Sequence, residues 1–172
     1  MILDIGSAGG PLFASTSLDV TYYDVDLYRM KNFVRGIAER LPFRDRSFTV
    51  CVLADVLEHV SDPVEAVKEA KRVGRRVLIT VPHEKYEQPF VYSKSREEHR
   101  VEVDKWAEVN RPAQMVDDAV HPHLFHQRRF SHEGLKQLFS DAGLRVEISF
   151  LQLPNDPWFH GHWLIVGHSR ES

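Results

Sequence analysis

Five short apolar runs, separated by turn signals or by one helical stretch, most constrain what this chain can fold into. "MILDI" stops at Gly6, as a buried strand does. "LDVTYYDVD" is rich in β-branched and aromatic residues and reads as a second strand ending near Asp24. "NFVRG" is a short third strand, and "SFTVCVLADVL" a stronger, almost continuously apolar fourth. "RRVLITVP" is the fifth, and Pro82 should stop it. Between the last two, "DPVEAVKEAKRVG" carries helix signals: Asp62 to cap it, Pro63 in its first turn and Gly74 to close it. Val64, Val67 and Ala70 give that helix an apolar face, with Lys68, Glu69, Lys71 and Arg72 mostly outside. "PLFASTS" offers at most a short helix. The alternation predicts an α/β protein, a Rossmann-like doubly wound sheet with mostly parallel strands and helices on both faces.

The remainder of the chain is less regular. From His83 to Gln127 there is no clean period, and charges mix with Tyr86, Phe90, Tyr92 and Trp106. A structureless loop of that length is uncommon inside a small domain, so 83–127 is expected to be a lid or substrate-binding insertion, with a short helix around 98–108. "SHEGLKQLFSDAGL" is a well-marked helix: Ser131 caps it, Leu135, Leu138 and Phe139 form one face, and Gly143 stops it. "LRVEISFLQL" and "HWLIVGHS" are two further strands, joined through "PNDPWFHG" and able to pair as a C-terminal antiparallel hairpin.

No internal repeat divides the 172 residues, so 1–172 reads as a single domain. At this size folding buries roughly 70% of the unfolded chain's surface. A net charge of −3 gives no global attraction to nucleic acid or anionic membrane. No run of 18 apolar residues is long enough to span a bilayer, and no leader pattern precedes the first strand. The single cysteine, Cys51, excludes an internal disulfide and sits in "TVCVL", where a buried thiol is expected. This composition suits the cytoplasm.

A strand feeding a glycine-rich turn at the carboxyl edge of a parallel sheet makes a ligand crevice. Gly6 and Gly9 leave room there, and Asp24, 20 residues after Asp4, can accept hydrogen bonds from paired ribose hydroxyls. A plain tight turn and a solvated strand-end acid are the alternatives. The run Gly6-Ser7-Ala8-Gly9-Gly10 does not match G-x-G-x-x-G, and no G-x-x-x-x-G-K-[ST] loop is present, so the crevice suits a nucleoside without a pyrophosphate.

In this order, "ILDIGSAGG", "YYDVD", "AERLPFRDRSF", "LADVLEHVSDP" and "HPHLFHQRRFSHEGLKQLFSDAGL" resemble the class I, Rossmann-like S-adenosylmethionine-dependent methyltransferases. The likeness is greatest to the small-molecule group that includes quinone-biosynthesis enzymes. The resemblance implies that S-adenosylmethionine is the cofactor and S-adenosylhomocysteine its product. It implies that Asp4, Gly6, Ser7, Ala8 and Gly9 lie at the amino-acid end of the cofactor, Asp24 on the ribose and Val25 on the adenine. Ala38 and Glu39 would border the adenine edge. Ala54 and Asp55 would sit beneath the sulfonium, with His59 close by. Three departures stand out: Ala8 where the family usually has glycine, Ile37 where it often has an acid, and a reduced N-terminus without the usual helix before the first strand. Only about eight residues join the second and third strands, too few for a covering helix.

A sulfonium methyl is already activated, so the protein must chiefly orient an acceptor in line with it and exclude water; orientation is worth ~7–11 kcal/mol. A base is needed only if the acceptor must lose a proton, as a phenol or hydroxyl would, and His59, Asp55 or a histidine of the lid could serve. Tyr86, Tyr92, Trp106, His123, His126, Trp158 and His160 are the acceptor-pocket candidates, together with Phe90 and Phe159. No metal is expected: His121, His123 and His126 have mixed spacing and no acidic or cysteine ligand beside them, and His160 and His162, flanking Gly161, read the same way. The expected partner is a small molecule, not nucleic acid, and a second copy of the chain could close the unroofed site. The alternative is a binding or regulatory protein that keeps the fold without catalysis.

Overall fold

The computed structural model describes residues 1–8, 11–84, 128–152 and 159–168. The helix expected around 98–108, the rest of the insertion beyond Glu84, and the 153–158 connection lie outside them.

Seven strands form one sheet: β1 (Ile2–Ile5), β2 (Val20–Asp24), β3 (Phe33–Arg35), β4 (Phe48–Ala54), β5 (Gly74–Glu84), β6 (Arg145–Gln152) and β7 (Phe159–His168). Their order is β3-β2-β1-β4-β5-β7-β6. The first five are mutually parallel, while β7 runs antiparallel to both β5 and β6. The expected Rossmann-like sheet with its antiparallel C-terminal hairpin is therefore present. The chain lays β2 and β3 on one side of β1, then crosses to β4 and β5 on the other. The reversal leaves a crevice beyond the carboxyl ends of β1 and β4, the switch point at which such sheets take ligands.

Helix α1 (Pro63–Val73) starts where the sequence indicates: Asp62 accepts from the Glu65 amide at 3.0 Å, and Pro63 needs no donor in the first turn. Its buried face is Pro63, Ala66, Val67, Ala70 and Val73, with Val64 only partly covered. Helix α2 (His132–Asp141) is capped by Ser131, whose hydroxyl accepts from Gly134 N at 3.0 Å, and buries Leu135, Leu138 and Phe139. Both helices share one core with Leu3, Ile5, Cys51, Leu53, Val77, Ile79 and Ile165, so the helices expected on both faces of the sheet are found, among the described residues, on one face. Lys71 ties them together, donating to the Gly143 carbonyl at 2.8 Å. The 3₁₀ turn Pro11–Phe13 is the short helix expected from "PLFASTS".

One local expectation is corrected. Pro82 does not stop β5; it pairs with His162 inside the β5–β7 ladder. The Thr80 carbonyl faces β4, accepting from the Asp55 amide, so the nitrogen two residues on faces the same way. There β4 has ended at Ala54 and no bond is lost. Gly74 closes α1 as expected, as its C-cap. It is extended, at φ −106, and starts β5 directly. Glycine is needed for space, because a Cβ would stand 2.6 Å from Cys51 Sγ.

Candidate functional site

The first loop is built on main-chain contacts. Gly6 leaves β1 at φ +72, and a Cβ there would stand 2.5 Å from Val56 Cγ2. The amides of Gly6 and Ser7 both donate to the Tyr23 carbonyl, at 2.7 and 3.2 Å. Ala8 follows at φ +43, a costly angle for a residue with a Cβ, and its amide donates to Asp24 Oδ2 at 2.8 Å. Asp24 Oδ1 accepts from the Asp26 amide at 3.0 Å. The Asp24 carboxylate thus holds the loop already, yet each oxygen keeps a lone pair for a further donor.

Asp4 and Ser7 are buried beside this loop, and neither Asp4 Oδ2 nor Ser7 Oγ has a hydrogen-bond partner. Buried polar atoms normally find partners, so an orphaned carboxylate oxygen and hydroxyl at a crevice suit a ligand's ammonium or hydroxyl. Burial, and then the charge of Asp24, raise the Asp4 pKa to about 6. The residues present therefore fit the amino-acid end of S-adenosylmethionine, where a positive ammonium would relieve this carboxyl.

Of the residues expected to flank an adenine, Val25 is 39% exposed and Ala38 is buried. Tyr23 Oη reaches the carbonyls of Ile37 and Arg40 at 3.0 and 3.2 Å, which shapes the loop after β3. Burial, then Glu39 and Glu69, push its phenol to about 12, so it stays a donor. Ile37, in the place of the family's acid, is 52% exposed. The Glu39 carboxylate faces the start of α1, accepting from the amides of Ser61 and Asp62 at 2.8 and 3.1 Å, where the helix dipole favours an anion.

Asp55 leaves β4 at φ +53, a second strained non-glycine position at the crevice. Its carboxylate accepts from Thr80 Oγ1 at 2.8 Å and lies 3.2 Å from His162 Nε2. Ala54, just before it, is half-buried. His59 sits in the turn before α1, with its amide donating to the Val56 carbonyl at 3.0 Å. Arg128 braces that turn through the carbonyls of Leu57, Val60 and Ser61, the last at 3.1 Å.

The structure thus gathers Asp4, Gly6, Ser7, Ala8 and Asp24 around one loop, and Ala54 and Asp55 at the adjoining strand tip. Gly9, Tyr86, Phe90, Tyr92, Trp106, His121, His123, His126 and Trp158 lie outside the described residues, as do the side chains of Phe159 and His160. Thr80 and His162 were missed as site residues. The signal for them is the pairing of β5 with β7, which no local pattern reveals. Among the described residues no group of three or more His, Cys, Asp or Glu side chains could hold a metal ion.

Residues 3–77 match the family profile described as methyltransferase domain. No curated protein matches the chain. Among solved structures, an S-adenosylmethionine-dependent methyltransferase from Methanosarcina mazei is similar at TM-score 0.64 and 18% identity, covering 99% of this chain and 92% of its own. A chain of the complex between the Haloferax volcanii Trm112 methyltransferase activator and a methyltransferase is similar at TM-score 0.64 and 19% identity, covering 99% and 82%. The 4+2 cyclase SpnF is similar at TM-score 0.66 and 13% identity, covering 99% and 75%. At such identities the structural likeness establishes the fold.

The fold is Rossmann-like, and residues 3–77 of it match a methyltransferase domain. The matched stretch runs from β1 to the start of β5 and contains the loop, Asp24 and Asp55.

Proposed function

We propose that the protein transfers a methyl group from S-adenosylmethionine to a small-molecule acceptor, by orienting the two in line at the carboxyl edge of β1 and β4. The observation that carries this reading is the pair of buried, partnerless atoms Asp4 Oδ2 and Ser7 Oγ beside a main-chain loop in a methyltransferase domain. Asp4 and Ser7, beside the main-chain loop that starts at Gly6, hold the amino-acid end. Asp24 accepts from the ribose hydroxyls, and Val25 and Ala38 flank the base. When bound, the cofactor supplies an electrophilic methyl group, and these residues fix its position and keep water away. The aromatic side chains of 83–127 and Trp158 wall the acceptor. Among the described residues no helix is long and apolar enough to cross a membrane.

Calorimetric titration tests the reading. S-adenosylmethionine and S-adenosylhomocysteine should both bind; absence of binding at millimolar concentration contradicts it. A second reading, a fold-keeping protein without methyl transfer, draws on Ala8 closing the loop onto Asp24 and on the likeness to a cyclase. It predicts S-adenosylhomocysteine binding with no methyl transfer to any acceptor.

A further inference from the structure

The amino edge of the sheet, opposite the crevice, gathers positive charge in a chain whose net charge is −3. An open groove of about 640 Å³ lies there, within the size range of ligand clefts. Its walls are the loop before β4, the second half of α1 and the end of α2, which supply Asp45, Arg46, Lys68, Lys71, Arg72 and Gly143. Four cations thus face one carboxylate. Arg145 stands two residues beyond Gly143, and strand register sets it in one row with His168 of β7 and Arg76 of β5. The fold explains two of the groove's cations. Lys71 and Arg72 sit in the last turn of α1, where the helix dipole favours positive charge. All five donors of Arg72 are committed to Leu41, Phe43, Asp45 and Glu69. Lys68 and Arg46 are not so explained. Lys68 lies a turn earlier, is 48% exposed and meets Glu65 at 3.4 Å. Arg46 stands at φ +55, a position that favours glycine or asparagine. Lys71 is also held in place: its Nζ donates to the carbonyls of Gly143 and Ala142 at 2.8 and 3.5 Å, which leaves one ammonium donor for the groove. Gly143 makes room for it, since a Cβ there would stand 3.2 Å from Nζ.

We infer that this groove docks an acidic segment of a partner protein, at the edge of the sheet opposite the crevice. Carboxylates of the segment pair with Lys68, Lys71 and Arg46, and Arg145 and Arg76 continue the track. The acceptors in the same walls decide between a peptide and a nucleic acid. Asp45 is 75% exposed, and the Gly143 carbonyl keeps a second lone pair. A peptide brings N–H donors for these acceptors as well as carboxylates for the cations. A row of phosphates brings acceptors alone and meets Asp45 as a like charge. The net charge of −3 also works against so dense a polyanion. Exposed pairs of this kind are individually weak, so the docking draws on several at once and fades as salt rises. It is independent of methyl transfer.

The test is fluorescence anisotropy on the full chain with fluorescein-labelled decaglutamate. Wild type should bind it in dilute salt, and the affinity should fall several-fold between about 50 and about 200 mM salt. Lys68→Glu and Lys71→Met should each weaken binding roughly three- to fivefold, and the double variant about tenfold or more. Lys31→Glu lies in the exposed loop before β3, three strands away from β4, and should bind as wild type does. Lys68→Glu changes a half-exposed side chain and should melt within a few degrees of wild type, so it decides the matter even if Lys71→Met fails to fold. Fluorescein-labelled dodecauridylate should bind more weakly than decaglutamate. The inference is overturned if decaglutamate does not bind, if Lys68→Glu binds it as wild type does, or if Lys31→Glu weakens it equally. Equal or tighter binding of dodecauridylate assigns the groove to nucleic acid and overturns it too. So does a dimer in sedimentation that Lys68→Glu dissolves, which gives the groove to a second copy of this chain.

Discussion

The amide of Ala8 donates to Asp24 Oδ2 at 2.8 Å, joining the turn after β1 to the tip of β2. The carboxylate expected to hold a ribose is thus also the group that holds the loop. On the proposed reading, cofactor affinity and loop order are coupled through one side chain.

Replacing Asp24 should expose that coupling. Asp24→Ala removes the acceptor for Ala8 and Asp26 as well as for the ribose. Hydrogen bonds to a charged group are worth about 1.5–3 kcal/mol each, so S-adenosylhomocysteine affinity should fall at least tenfold, with a lower melting temperature. Calorimetry and thermal melts read both. An unchanged affinity means that Asp24 is not the ribose ligand.

Ala8→Gly should act in the opposite direction. At φ +43 the Cβ costs about 1–2 kcal/mol that glycine avoids, offset in part by the freer unfolded chain. A net gain of up to about 1 kcal/mol in stability and tighter S-adenosylhomocysteine binding are expected, read by denaturant unfolding and calorimetry. Weaker binding would mean that the alanine methyl contacts the ligand.

Asp4 should make stability depend on pH. Its folded pKa of about 6 lies above the ordinary 3.8, so the folded state binds the proton more tightly. Its contribution is fully present below about 3.8 and is lost as pH rises through about 6, at a cost of up to about 3 kcal/mol. Asp4→Asn should flatten this part of the stability profile and raise the melting temperature at neutral pH, while weakening S-adenosylhomocysteine binding. An unchanged profile in chemical denaturation between pH values around 4 and 7 would contradict the burial of a charged Asp4.

Arg72 should be the most costly surface-facing residue to remove. Its guanidinium donates to the carbonyls of Leu41 and Phe43 at 2.9 and 2.8 Å and bridges Asp45 and Glu69 at 2.7 and 2.6 Å. It thereby fixes the segment that leads into β4. Arg72→Ala leaves several acceptors unmatched and should destabilise by roughly 2–4 kcal/mol, measured by urea unfolding. A loss under half a kcal/mol would show that these bonds exchange freely with water.

Much of the fold was legible because its signals are local. Asp62, Pro63 and Ser131 announce the helix starts, and the apolar runs mark the strands. Pro82 misled because its effect depends on which neighbour its nitrogen faces, and β4 has already ended there. Gly74 closes α1 as its position indicates, though the reason for glycine there is the sulfur of Cys51, far away in sequence. In the site, Asp4, Gly6, Ser7 and Asp24 follow from one strand–turn–strand pattern. The Asp55–His162 pair does not, since it exists only through the antiparallel register of β7 against β5. Glu39 was expected at the adenine edge, but the amides before α1 engage its carboxylate, and that competition is visible only in three dimensions.

The most direct test of the central claim is a crystal structure of the protein with S-adenosylhomocysteine. The account predicts the nucleoside across the tips of β1, β2 and β4, its ribose hydroxyls on Asp24 and its amino-acid end against Asp4 and Ser7. A structure in which the loop stays closed on Asp24 and the product lies elsewhere, or does not bind, would contradict it.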